Sequence, residues 1–264
     1  METSFSRALN EGLGPARLFV GGVHGKESQT TILAMRNFPL SVLKNGKLFL
    51  HNFTVSPYIS TLERHYYDTP TGLELLDLIE KIQPTIYLEL HCYHLSSYFQ
   101  LTREERKKES GIPALVELDK KVLIGSISPI IRSVFFKKYD FPFILEMPCD
   151  PSVESLEVYL KVMEVAANSN DRFSILKKLE ELYPLAVDKL RRYFVDFSDN
   201  FLILFEKTRK HAQKIDSSNS NDLEVFIKDL NEKLDLNLNS IQLNQVKEAV
   251  LIFLNYKNNK QAID

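Results

Sequence analysis

The chain has 264 residues, 44% of them hydrophobic and 26% charged, enough to bury a substantial core without disulfide staples. Its net charge of -2 excludes the gross electrostatic attraction that marks nucleic-acid or anionic-membrane partners, and no stretch approaches the roughly 20 apolar residues that span a bilayer. Two cysteines, Cys92 and Cys149, make no disulfide framework, and Met1 to Asn10 has no apolar h-region, so a soluble cytoplasmic chain with reduced, buried thiols is expected.

Turn-forming residues divide the chain. All nine glycines lie at or before Gly125, and ten of the eleven prolines lie at or before Pro151. The first 150 residues are therefore cut into short elements and the remainder is not. Arg17 to Val23 reads as a strand, Glu27 to Met35 as a helix, and Lys47 to Val55 as a second strand. Gly72 to Ile82 has helical apolar spacing and stops before Pro84. Thr85 to His91 is a third strand, and Lys121 to Ile127 and Phe141 to Met147 complete the set. Alternation of strand and helix predicts an α/β fold with a mixed, mainly parallel sheet over 1–150, flanked by helices on both faces. Residues 151–264 read as a helical region or domain: Ser155–Ala167, Ile175–Phe194, Asn200–Lys214, Asp222–Leu234 and Ile241–Tyr256, with Ser217–Asn221 as a loop.

The strongest local signal is Val20-Gly21-Gly22-Val23-His24-Gly25-Lys26-Glu27. A strand delivers His24 into a glycine-rich turn, and three-residue spacing brings Glu27 to the same side. Alone, His-x-x-Glu is weak, since a capped helix start with a surface histidine is the better explanation of an isolated pair. Tyr87-Leu88-Glu89-Leu90-His91 strengthens it by ending a buried strand in a second histidine at the same sheet edge. Two histidines and a carboxylate are one ligand set of catalytic zinc, so His24, Glu27 and His91 are expected to hold one Zn2+ per chain. Glu89 either orients a ligand or is simply salt-bridged. In Phe143 to Pro148, Glu146 closes an apolar strand, where an unused carboxylate is costly, and it fits the general base.

Taken together, Gly21 to Glu27, Glu89-Leu90-His91 and Glu146 resemble the zinc carboxypeptidase superfamily, in its succinylglutamate desuccinylase and aspartoacylase branch, over about residues 17–148. The resemblance implies zinc at His24, Glu27 and His91, Glu146 as base, and Arg64 as the oxyanion-stabilising arginine. The chain departs where that branch carries an Asn-Arg pair for the substrate carboxylate: here it reads Thr69-Pro70-Thr71-Gly72. A helical rather than β-rich C-terminal half is a further departure. These departures mark a divergent member, such as an uncharacterised archaeal group would hold.

The remaining polar residues read as structural. His94 lies in the loop after the third strand, His51 within a strand, His65 in a turn and His211 on the helical surface. Arg103 to Glu109 reads as a solvated helix face, and Tyr66, Tyr67 and Tyr93 as loop hydroxyls near a pocket. The expected function is a zinc-dependent hydrolase cleaving the amide bond of a small N-acylated amino acid or related conjugate. The alternatives are a zinc carboxypeptidase acting on a short peptide, or a non-catalytic scaffold. The expected partner is a small-molecule substrate, with no nucleic acid and no membrane, and an oligomer or protein partner through the helical half is the remaining option.

Overall fold

In the computed structural model, which describes residues 5–214, 220–234 and 238–261, seven strands form one sheet. They are β1 (Phe5–Glu11), β2 (Ala16–Gly21), β3 (Gly46–Asn52), β4 (Ile86–Tyr93), β5 (Val116–Asp119), β6 (Val122–Ser126) and β7 (Phe141–Pro148), in the order β1-β3-β2-β4-β7-β6-β5. The four central strands, β3, β2, β4 and β7, run parallel. The outer pairings β1 with β3, β6 with β7, and β5 with β6 are antiparallel. The sheet is mixed as expected, but its pairings divide evenly and are not mainly parallel. The two strands absent from the sequence reading, β1 and β5, lie at the edges. β1 has no buried residue and β5 spans four residues, so neither carries a long apolar run.

The helices are α1 (Ser28–Asn37), α2 (Pro70–Ile82), α3 (Tyr98–Thr102), α4 (Arg106–Ser110), α5 (Pro129–Phe135), α6 (Val153–Ala167), α7 (Arg172–Leu182), α8 (Val187–Arg191), α9 (Ser198–Ala212), α10 (Ser220–Leu234) and α11 (Ser240–Gln261). Side chains alternate across each strand. Phe19, Leu88 and Leu90 therefore join Met35 of α1 and Tyr159, Val162 and Leu179 of α6 and α7 on one face. Leu18, Val20 and Tyr87 join Leu75 and Ile79 of α2, Ile131 of α5, and Val250 and Phe253 of α11 on the other. The helical C-terminal region thus contributes to both cores of the sheet. The helix expected over Ile175–Phe194 is interrupted: α7 stops at Leu182, Pro184 opens a short 3-10 turn, and α8 follows, because proline lacks the N–H that continues a helix. Of the expected Ser217–Asn221 loop, residues 217–219 lie outside the described residues, and Ser220 and Asn221 begin α10. Among the described residues, no helix is long and apolar enough to cross a membrane.

Two features position a site. β2 connects through α1 to β3 on one side and neighbours β4 on the other, so the strand order reverses at β2. Open parallel sheets bind ligands beyond the carboxyl ends of strands at such a reversal. On the far side, α11 is tied to α2: the Tyr256 hydroxyl donates to Asp77 at 2.6 Å, and Lys257 and Lys260 donate to Glu80 at 2.7 and 3.0 Å.

Burial pushes the Glu80 carboxyl up, but the α11 donors outweigh it and hold it at about 2. A carboxyl held below its unfolded value adds stability at neutral pH that disappears as pH falls through the folded value. Glu80→Gln is expected to lower stability near pH 6 by up to about 1 kcal/mol, solvent screening keeping the loss small. Thermal unfolding of the two proteins should converge near the folded value, and an equal gap at both pH values would contradict the tie.

Candidate functional site

A cleft of about 720 Å³ opens at the carboxyl ends of β2, β4 and β7, lined among others by His24, Glu27, His91, His94, Arg106 and Glu146. Its size is that of a site for a small organic ligand. β2 ends at Gly21, and the chain turns through Gly22 and Gly25 at φ of +68° and +50°. A Cβ at Gly22 would stand 2.5 Å from the Phe53 carbonyl oxygen, and one at Gly25 would stand 2.7 Å from the Tyr58 ring. Only glycine allows both this backbone and this approach. The turn carries His24 into the cleft, its ring edge-on to Tyr58, and delivers Glu27 as the N-terminal flanking residue of α1. Helix α1 therefore starts one residue later than expected.

Glu27 is the hub. Its Oε1 lies 3.6 Å from His24 Nδ1 and its Oε2 lies 3.1 Å from His91 Nδ1. His91 is buried within β4, which continues to Tyr93 and does not end at the histidine. Its other nitrogen, Nε2, faces Glu89 Oε2 at 3.1 Å. Glu89 is fully buried and accepts the Tyr87 hydroxyl at 2.8 Å. The contact is compatible with both roles open to Glu89 in the sequence, orienting the imidazole and pairing with it as an ion. Tyr66 lies near Glu27 and Glu89, fully buried, with a hydroxyl that makes no hydrogen bond.

Glu146 stands beside His91 in the parallel ladder of β4 and β7, so both side chains project from the same face of adjacent strands about 4.8 Å apart. The Tyr159 hydroxyl, from α6 beneath, bonds the backbone oxygens of His91 at 3.2 Å and Leu145 at 3.0 Å and so fixes the two strands together. Burial would push the His91 imidazole down, but Glu27 and Glu89 outweigh it and raise it well above its ordinary value. Burial also raises Glu27, yet the two imidazoles hold it below the usual carboxylate range. Glu146 has less compensation: burial pushes its carboxyl up to about 7, against the pull of His91. Among the described residues, no three His, Cys, Asp or Glu side chains stand together as a formed metal cluster.

The other sequence candidates fall elsewhere. Arg64 is not a cleft residue: its Nε faces Glu248 Oε2 of α11 at 3.7 Å, because the 3-10 turn Arg64–Asp68 directs it to the C-terminal helix. The oxyanion role expected for it is therefore withdrawn. Tyr66 and Tyr67 are buried in that turn and not in a loop, and the Tyr67 hydroxyl donates to Thr61 O at 2.8 Å. Tyr93 does line the cleft. His51 pairs with Glu74 at 3.5 Å, His65 with Asp68 at 3.7 Å, and His211 stacks on Phe226 with ring centroids 3.7 Å apart. His94 is exposed at the cleft rim.

Two expectations are corrected in the cleft wall. Cys92 and Cys149 are not free thiols but a disulfide, with Cα atoms 4.8 Å apart, because the β4–β7 register places Tyr93 opposite Pro148 and brings both cysteines to the strand ends. The Arg103 to Glu109 run is not wholly solvated: Arg106 turns inward and lines the cleft. Sequence spacing gave no signal for Arg106, since one inward residue in a short charged helix has no periodicity to reveal it.

Comparison with known proteins bears on the ancestry of this arrangement. An uncharacterized protein of Methanocaldococcus jannaschii (MJ0501) is 36% identical over 186 residues, covering 68% of this chain and 89% of the relative. No solved structure matches the chain significantly. The resemblance to the zinc carboxypeptidases and aspartoacylases is overturned, because residues 12–199, which contain every motif that suggested it, match a different family model. Short ligand-like motifs recur in unrelated chains, and a match of this length outweighs them. That model is described as "Uncharacterized protein conserved in archaea (DUF2119)", and the chain belongs to this archaeal family.

Proposed function

We propose that the chain is a zinc-dependent hydrolase that cleaves the amide bond of a small N-acylated amino acid or related conjugate. His24, Glu27 and His91 hold one zinc ion, and Glu146 is the general base. The observation that carries this reading is the Glu27 carboxylate in contact with both imidazoles, beside Glu146, inside the cleft. Two ligand atoms on a tetrahedral zinc stand roughly 3.3 Å apart. The separations of 3.6 and 3.1 Å from Glu27 to His24 and His91 bracket that value, which supports a shared ion at these two pairs. The two cysteines, tied in the disulfide, would supply no thiolate ligand. When bound, zinc supplies Lewis-acid activation of water and of a carbonyl.

The chain's own residues do the rest. With zinc on Nδ1, Glu89 would accept from Nε2 and so orient the His91 ring. Glu146 accepts the proton of the attacking water and returns it to the departing amine. Glu89→Gln is expected to weaken zinc binding about ten- to hundredfold, read by competition with a chelator, while an unchanged affinity would remove Glu89 from the site.

A turnover screen tests the function. N-acetyl amino acids and unblocked dipeptides are offered to the zinc-loaded protein, with a chelator control. Chelator-sensitive release of the amino acid from the acetylated compounds supports the deacylase. Turnover of dipeptides alone transfers the reading to a peptidase, and no turnover of either class contradicts hydrolysis of small amides.

A further inference from the structure

The cleft holds a cation that the chemistry above leaves unused. Arg106, at the start of α4, lines the cleft and is only partly exposed. Its Nη1 donates to the Pro113 carbonyl oxygen at 2.6 Å, and among the described residues it forms no ion pair with a carboxylate. Its neighbour Arg103, three residues earlier, is neutralised by Glu109. A half-buried guanidinium with no carboxylate in contact is costly to keep. It lies within electrostatic reach of Glu146.

Leu101, Ile112 and Ile144 supply apolar wall. We propose that Arg106 receives a carboxylate of the ligand and so restricts the cleft to N-acylated α-amino acids with an apolar side chain. This deepens the amide-hydrolase reading and rests on it.

A single planar guanidinium suits a carboxylate, which it binds through two parallel N–H···O bonds. A phosphate dianion is disfavoured, because Glu27 and Glu146 line the same cleft and repel a second negative charge. Arg106 is here a specificity residue, not a catalytic one.

Calorimetry tests the assignment with N-acetyl-L-leucine, N-acetyl-L-leucinamide and inorganic phosphate, using the full chain both zinc-loaded and zinc-depleted, the latter free of turnover. The wild type is expected to bind the acid about tenfold or more tighter than the amide, since a bond between charged groups is worth that ratio. Arg106→Gln should lose the preference with zinc content and Tm unchanged, and Arg106→Lys should keep part of it. Equal binding of acid and amide, no binding of either, or a preference that survives in Arg106→Gln overturns the proposal. Phosphate binding tighter than the acid overturns the carboxylate assignment. If Arg106→Gln does not fold, the wild-type ratio and its partial retention in Arg106→Lys decide. A chain that takes up no zinc defeats the hydrolase reading alone, because the acid-over-amide ratio of the depleted protein still tests Arg106.

Discussion

Glu146→Gln is expected to bind zinc as the wild type does and to hydrolyse amides roughly a thousandfold more slowly, the usual loss when a general base is removed. The substitution is nearly isosteric, so it leaves the packing of β7 against β4 in place. It removes only the capacity to accept a proton. Glu146 is also the carboxyl whose place in the fold has no structural explanation. It stands next to His91 in the ladder, in a strand whose other side chains are apolar, and it makes no ion pair among the described residues. A carboxylate in such a place is retained at a cost in stability. Single-turnover rates of both proteins, with zinc content measured on the same samples, decide the matter. A variant that keeps both zinc and full rate would show that Glu146 is not the base.

The second large effect concerns the disulfide. Reducing Cys92–Cys149, or replacing both cysteines by serine, is expected to cost about 2–4 kcal/mol of stability, the upper figure following from closure of a loop of this length. The separation in sequence is 57 residues, and the bond joins the ends of the two strands that carry His91 and Glu146. Denaturant unfolding of oxidised protein, reduced protein and the double serine variant gives the comparison. The last two should coincide below the first. Two thiols that alkylate readily in the folded protein, with no change in stability on reduction, would contradict the bond. The sequence suggested reduced thiols because disulfides are rare in most cytosols.

The parts of the fold legible in the sequence are those with strong local periodicity. The apolar runs at Leu18 to Val20, Thr85 to Leu90 and Phe143 to Leu145 became β2, β4 and β7, and the spacing of Leu75, Leu76 and Ile79 became α2. His24 and His91 both meet Glu27 because the turn after β2 and the last residues of the neighbouring parallel strand β4 lie at the same edge of the sheet, a placement that follows from strand order once the strands are known. Edge strands escaped notice because β1 buries little and leaves no alternation to read. Arg64 was misassigned because a resemblance supplied its role, while its direction is set by packing against α11, more than 180 residues away in the chain. Arg106 and the disulfide were hidden for a related reason. Their significance depends on which loops close over the sheet edge, and contacts between distant segments leave no local trace.

The most direct measurement is the metal content of purified wild type beside His24→Ala and His91→Ala, each after exposure to zinc and removal of the excess. About one zinc per chain is expected in the wild type, with loss in both variants, since each removes one of three protein ligands. Zinc absent from the wild type, or kept in full by either variant, would contradict the site.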